Sequence, residues 1–273
     1  MPRVNSMGRQ ALRLSLCALL TLVTGIASAT DRSKVAVVVD DLGNQWQSGL
    51  AAIQIPFIQT IAIMPGLPYT IPLAESTVDA GKTVIVHAPM SNESNFPLGP
   101  LGLTRDDGDQ QLLANLSMGM DAVPFAEGLS NHMGSRLTRD AEAMGWVMTE
   151  LLARDWFYFD SVTVSNTQGW RMAEQMGVPW NRRQVFLDHE PTPAFIEQQW
   201  QLALDMARLN GSVTVICHPY PETLAFFESL DPGDYPDIDW VSIKDLLHQP
   251  KRHRPEWRPH SIPKGAYSRR HAG

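Results

Sequence analysis

The sequence predicts an α/β fold with a parallel sheet closed into a (β/α) barrel. Two observations carry this. Short β-rich runs alternate with helical stretches along the chain in about seven or eight units. Several of the β-rich runs are near-continuously apolar, as strands covered on both faces must be. A body of some 215 residues suits closure of the sheet better than an open one. The whole chain has 273 residues, 44% hydrophobic and 19% charged, the balance of a globular protein. At that length roughly 70–75% of the unfolded surface can be buried without help from disulfides or structural metal.

Taken in order, the predicted strands are Val35–Val39, Gln59–Ile63, Thr83–His87, Ala126–Ser130, Trp156–Asp160, Gln184–Asp188, Ser212–Cys217 and Asp239–Ile243. The predicted helices are Trp46–Ile53, Tyr69–Ala80, Asp106–Met120, Thr138–Ala153, Thr167–Gly177 and Pro193–Asn210. Thr138, with Glu142 nearby, reads as a helix start, and Gly211 as the stop of the longest helix. No internal repeat or linker interrupts residues 31–248, which are taken as one domain.

The ends differ from this body. Residues 1–29 read as a secretory signal, with Arg3, Arg9 and Arg13, an apolar run from Leu14 to Ile26, and a small-residue cleavage site at Ala27-Ser28-Ala29. Cleavage would leave Cys217 as the sole cysteine, which fits an exported, periplasmic protein better than a disulfide-dense module. Residues 31–249 hold 12 basic and 28 acidic side chains, whereas residues 250–273 hold seven basic and one acidic. The acidic body argues against nucleic acid as a partner. The basic, Pro-rich segment 249–273 reads as a disordered tail able to contact anionic envelope surfaces.

Polar residues concentrate where the strands end. Asp40-Asp41 follows the first strand, and His87 ends the third. Asn131-His132 follows the fourth, Asp160-Ser161 ends the fifth, Asp188 ends the sixth and His218 follows the seventh. In parallel α/β folds these ends share one face, where sites are built. Two adjacent carboxylates at a buried strand end repel each other, and a cation or a shared proton relieves this. Asp41, His87 and His132 form a nitrogen and oxygen set suited to zinc or another divalent ion with positions left open. His218 fits a general acid and the Asp pair supplies a general base. Cys217 should face away from His218 into the core. Ser161 lacks the surroundings of a hydrolase nucleophile elbow. Asp188 is expected at the site rim, its neighbours His189 and Glu190 exposed.

With VVVDDLG, VHAPM, GLSNHMGSRLT, FYFDS, RQVFLD and ICHP in this order, the sequence resembles the divergent polysaccharide deacetylases, exported relatives of the metal-dependent deacetylases of chitin and peptidoglycan. The resemblance runs from about Lys34 to Val241. It implies a single-domain distorted (β/α)7 barrel that hydrolyses acetyl groups on an N- or O-acetylated glycan of the cell envelope. It assigns Asp40 as base, His218 as acid, Asp160 as a supporting acidic residue, and Asp41 and His87 as metal ligands. The relatives carry a second His four residues after the first, but this chain has Ser91 there, and His132 is taken as the replacement ligand. Asn131, Ser135, Arg136 and Asp188 are expected to bind substrate, Arg136 on a weak match to an Arg of the relatives. The altered metal motif leaves a second reading, a catalytically weak glycan-binding or envelope-assembly factor. A two-metal phosphoesterase would want a further carboxylate and His cluster that the sequence lacks.

Overall fold

The computed structural model describes residues 32–250; the expected signal segment and nearly all of the basic tail lie outside the described residues. The strands are β1 (Ser33–Leu42), β2 (Ile58–Ile63), β3 (Thr83–Met90), β4 (Gly128–Met133), β5 (Phe157–Asp160), β6 (Trp180–Arg182), β7 (Val185–Phe186), β8 (Ser212–Cys217) and β9 (Ile238–Trp240). The helices are α1 (Trp46–Gln54), α2 (Thr70–Asp79), α3 (Asp109–Ala122), α4 (Ala141–Arg154), α5 (Gly169–Met176), α6 (Pro193–Asn210) and α7 (Pro221–Glu228). All the ladders between these strands are parallel, in the order β6-β5-β4-β3-β2-β1-β8-β7, with β9 on β1.

Only Arg183 and Gln184 separate β6 from β7. The segment therefore acts as one bent strand that pairs first with β5 and then with β8. Counted so, seven positions surround the barrel, as the resemblance implied. Closure between its ends is made by Thr214 and its partners: Gln184 N donates to Thr214 O (3.0 Å), and Thr214 N to Gln184 Oε1 (2.8 Å).

Alternation sorts the strand residues into two layers. Val35, Val37, Val39, Val84, Val86, Leu129, Tyr158, Val213 and Val215 join the large core. Ala36, Val38, Ala62, Ile85, Phe157, Phe159 and Ile216 form a second, smaller core with Ile243, which we take as the barrel interior. The segment after β9 covers one mouth of that interior. Ile243 opens a 3-10 turn (Ile243–Leu246), Asn181 Nδ2 donates to Leu246 O (2.8 Å), and His248 bridges to Trp180. These contacts lie toward the N-terminal ends of the strands, so the C-terminal ends remain for function.

Three expectations are corrected. The helix start at Thr138 is displaced: Leu137–Arg139 is a 3-10 turn, Thr138 Oγ1 donates to Gly134 O, and Asp140 caps α4 by accepting from Glu142 N and Ala143 N. A carboxylate at Asp140 suits the positive end of the helix better than a hydroxyl. β6 and α7 were not expected, β6 because three residues show no periodicity and α7 because it is a short run directly after the site. The last strand is shorter than expected, since the chain turns at Ser242 to plug the barrel.

Gly169, first residue of α5, is required by close approach. A Cβ there would lie 2.4 Å from Asp160 Oδ2 and 2.7 Å from the Tyr158 hydroxyl. Gly169→Ala is expected to destabilise the protein by about 1–3 kcal/mol through overpacking. Thermal unfolding checks this, and an unchanged midpoint would contradict it.

Candidate metal centre and acid–base pair

Adjacent strand residues ordinarily point to opposite faces. Asp40 and Asp41 escape this by a bulge. On β1, Val39 pairs with Ile61 and Leu42 with Ile63, so one extra residue sits at the Asp pair. Asp41 occupies the left-handed region at φ 65°, a conformation Asp tolerates better than most residues. Asp40 continues the inward series of Ala36 and Val38, and the bulge swings Asp41 toward the same group.

His87 continues the inward series from Ile85 on β3. Its cross-strand partner on β4 is Ser130, and Nδ1 lies 2.7 Å from Ser130 Oγ. The hydroxyl in turn reaches Val86 O at 3.5 Å. Nδ1 is thus engaged by Ser130, which leaves Nε2 to face the Asp pair. His132 lies two residues beyond Ser130 and so shares its face.

Asp41 Oδ1 lies 3.0 Å from His87 Nε2 and 2.7 Å from His132 Nδ1. These are hydrogen-bond distances without hydrogen-bond directions, and the buried Oδ1 accepts from neither. One ligand atom from each of the three residues lies within 4.8 Å of the others. Three nitrogen and oxygen donors thus converge on one point, the donor set a divalent ion fits. Burial alone would raise the Asp41 carboxyl, but His132 and then His87 outweigh it and hold it far below the usual range.

Asp40 is 2% exposed. Burial raises its carboxyl above the ordinary value, and the charges of His87 and His218 oppose that only in part. Its Oδ1 takes no hydrogen bond from the protein, and its Oδ2 faces His87 Nε2 at 3.7 Å.

His218 follows β8 in the inward series from Ile216, with Nε2 3.8 Å from Asp41 Oδ2. Its Nδ1 donates to Asp188 Oδ1 (2.9 Å), and its backbone N donates to Asp188 Oδ2 (2.6 Å). Thr223 Oγ1 on α7 donates to the same Oδ2 (2.8 Å). Burial pulls the imidazole down, but the Asp188 hydrogen bond and the nearby carboxylates lift it to about 9. The ring stacks on Tyr220, with centroids 5.1 Å apart.

The structure brings Asp40, Asp41, His87, His132 and His218 together, and it gives the other expected residues different work. Asp160 points out of the barrel with Tyr158. Its Oδ1 accepts from Val162 N (2.8 Å), and its Oδ2 from Thr167 Oγ1 (3.0 Å) and Trp170 N (2.9 Å). It therefore caps the start of α5 and reaches none of the reacting groups. Asn131 is fully buried, accepting from the Tyr158 hydroxyl and Ser161 N and donating to Met133 O. Ser135 Oγ accepts from Glu93 N, and Arg136 forms a two-pronged pair with Asp106. Asp188 is a buried support for His218 and not part of the rim. Arg136, Arg139 and Arg105 tie the 91–109 segment to the start of α4 through Asp106, Glu93, Asp109, Asp140 and Glu142. Sequence reasoning missed the Asp188–His218 pair and Arg183. The spacing of Asp188 and His218 on neighbouring strand ends was the available clue. Cys217 faces the large core, as expected.

The chain matches the divergent polysaccharide deacetylases over residues 37–247. It belongs to that family. It is 32% identical over 238 residues to the uncharacterized protein YibQ of Escherichia coli (strain K12), covering 87% of this chain and 73% of that one. It is 30% identical over 220 residues to an uncharacterized protein of Haemophilus influenzae, covering 81% and 79%. Among solved structures, the uncharacterized protein ATU2773 of Agrobacterium tumefaciens C58 superposes with a TM-score of 0.74 at 21% identity, over 80% of this chain and 91% of that one. This likeness establishes the fold. Family membership marks the chain as deacetylase-like and its substrate class as glycan.

Proposed function

We propose that this deacetylase-like protein is a metal-dependent hydrolase that removes acetyl groups, N- or O-linked, from a polysaccharide of the cell envelope, with zinc held by Asp41, His87 and His132. The carrying observation is a buried carboxyl and a half-buried imidazole beside a three-donor cluster at the open end of the barrel: Asp40 with a raised carboxyl and His218 with a raised imidazole. A divalent ion bound there supplies Lewis acidity toward an acetyl carbonyl and acidifies water. Asp40 accepts the proton of the attacking water. His218, held by Asp188, donates from Nε2 to the departing amine or alkoxide. Each transfer is worth roughly 10²–10⁴-fold in rate. The plug of the opposite mouth keeps water and substrate to one side.

The expected signal segment and tail extend the proposal to an exported, periplasmic protein whose basic end contacts anionic envelope surfaces. No helix among the described residues is long and apolar enough to cross a membrane.

Acetate release from acetylated chito-oligosaccharides, peptidoglycan and capsule-type glycans tests the activity. Release that a chelator abolishes and zinc restores is the expected result. Stoichiometric glycan binding without release from any of the panel would replace this reading with the binding and assembly role.

A further inference from the structure

The turn that follows β5 holds a feature the mechanism above does not use. Val162, a β-branched residue, sits at φ 48° in the left-handed region. Such a residue is strained there and persists only where its surroundings hold it. Here three side chains from different strand ends do so. Asp160 Oδ1 accepts from Val162 N (2.8 Å). Arg183, from the link between β6 and β7, donates through Nε to Ser161 O (2.7 Å) and through Nη2 to Val162 O (2.6 Å). Asn131 Oδ1, at the end of β4, accepts from Ser161 N (3.1 Å). Both amides and both carbonyls of the Ser161–Val162 pair are thereby fixed, at the expense of three polar side chains.

The side chain so fixed is Ser161, which is 6% exposed. Its Oγ lies 3.5 Å from Asp40 Oδ2. The other group near that oxygen is His87 Nε2 at 3.7 Å, whose lone pair belongs to the cluster with Asp41 and His132. Asp40 Oδ1 has no protein partner. A hydroxyl beside one carboxylate oxygen favours one orientation of the group about its last torsion, which is otherwise intrinsically broad.

Resting on the acid–base reading above, we propose that Ser161 is the positioning residue of Asp40. The pinned Ser161–Val162 turn exists to aim its hydroxyl at Oδ2. This also gives Asp160, Asn131 and Arg183 a shared task. They hold the turn.

The test uses Ser161→Ala and Ser161→Thr in the full chain, with zinc-loaded protein and acetylated chito-oligosaccharide as probe. Ser161→Ala is expected to lower kcat at least tenfold, with KM within twofold of the parent and one metal per chain retained. Ser161→Thr, which keeps the hydroxyl, is expected to return kcat to within threefold of the parent. An unchanged kcat in Ser161→Ala, or a loss shared equally by Ser161→Thr, overturns the proposal. A crystal structure of Ser161→Ala provides a readout independent of activity. The Asp40 carboxylate should then occupy more than one orientation while Asp41, His87 and His132 stay in place; a single, unchanged Asp40 orientation overturns the proposal. If the parent protein releases no acetate, the hydrolase reading fails, and the crystallographic comparison still decides the role of Ser161.

Discussion

Asp40→Asn is expected to lower acetate release by roughly 10²–10⁴-fold, the range for losing a positioned general base. The substitution keeps the size of the side chain but removes its capacity to accept the water's proton. The fold should tolerate it, because burial already disfavours the charged carboxylate and the amide is neutral. Metal content should remain at the parent level, since Asp40 contributes no atom to the Asp41, His87 and His132 cluster. The pairing of near-complete loss of rate with intact metal and a melting midpoint no lower than the parent's checks this assignment. Loss of metal in Asp40→Asn would make Asp40 a ligand.

Asp188→Asn is expected to act through His218 and to show its effect on the alkaline side. Asp188 accepts from both the ring Nδ1 and the backbone N of His218 and is the first of the influences that raise the imidazole, to about 9 against the pull of burial. Removing its charge lowers the pKa of His218. The acid form is then lost at a lower pH, so the alkaline limb of kcat/KM should move toward neutrality, with a rate loss of roughly tenfold at pH 8. His218→Ala should abolish the limb altogether. An alkaline limb in Asp188→Asn that coincides with the parent's would mean that His218 is not the acid.

Legibility in the sequence followed the physics of each element. The alternation of apolar strands and helices was readable because burial on both faces leaves a continuous apolar run, as in Val35–Val39. The five converging groups were readable because strand ends in parallel folds share a face. Spacing alone could not show that β6 and β7 form one bent strand, since neither run is long enough to carry a period. The bulge at Asp40-Asp41 was equally hidden; it is a property of register against β2, and it is what lets neighbouring carboxylates serve one site. Asp160, Asn131 and Asp188 were placed correctly along the chain but assigned to substrate or chemistry. Polar side chains at strand ends divide between facing the site and capping the next helix, and one residue of parity separates the two outcomes. Phe159 faces inward, so Asp160 cannot.

Asp41, His87 and His132 should hold one divalent ion beside an acid and a base that do not bind it. The most direct measurement is elemental analysis, with zinc titration of the metal-free full chain followed by calorimetry, on the parent, His132→Ala and His218→Ala. One ion per chain is expected for the parent and for His218→Ala, and loss of most affinity in His132→Ala, because a site with three protein ligands loses one of its few bonds. Full metal binding in His132→Ala together with loss in His218→Ala would contradict it and move the site toward β8.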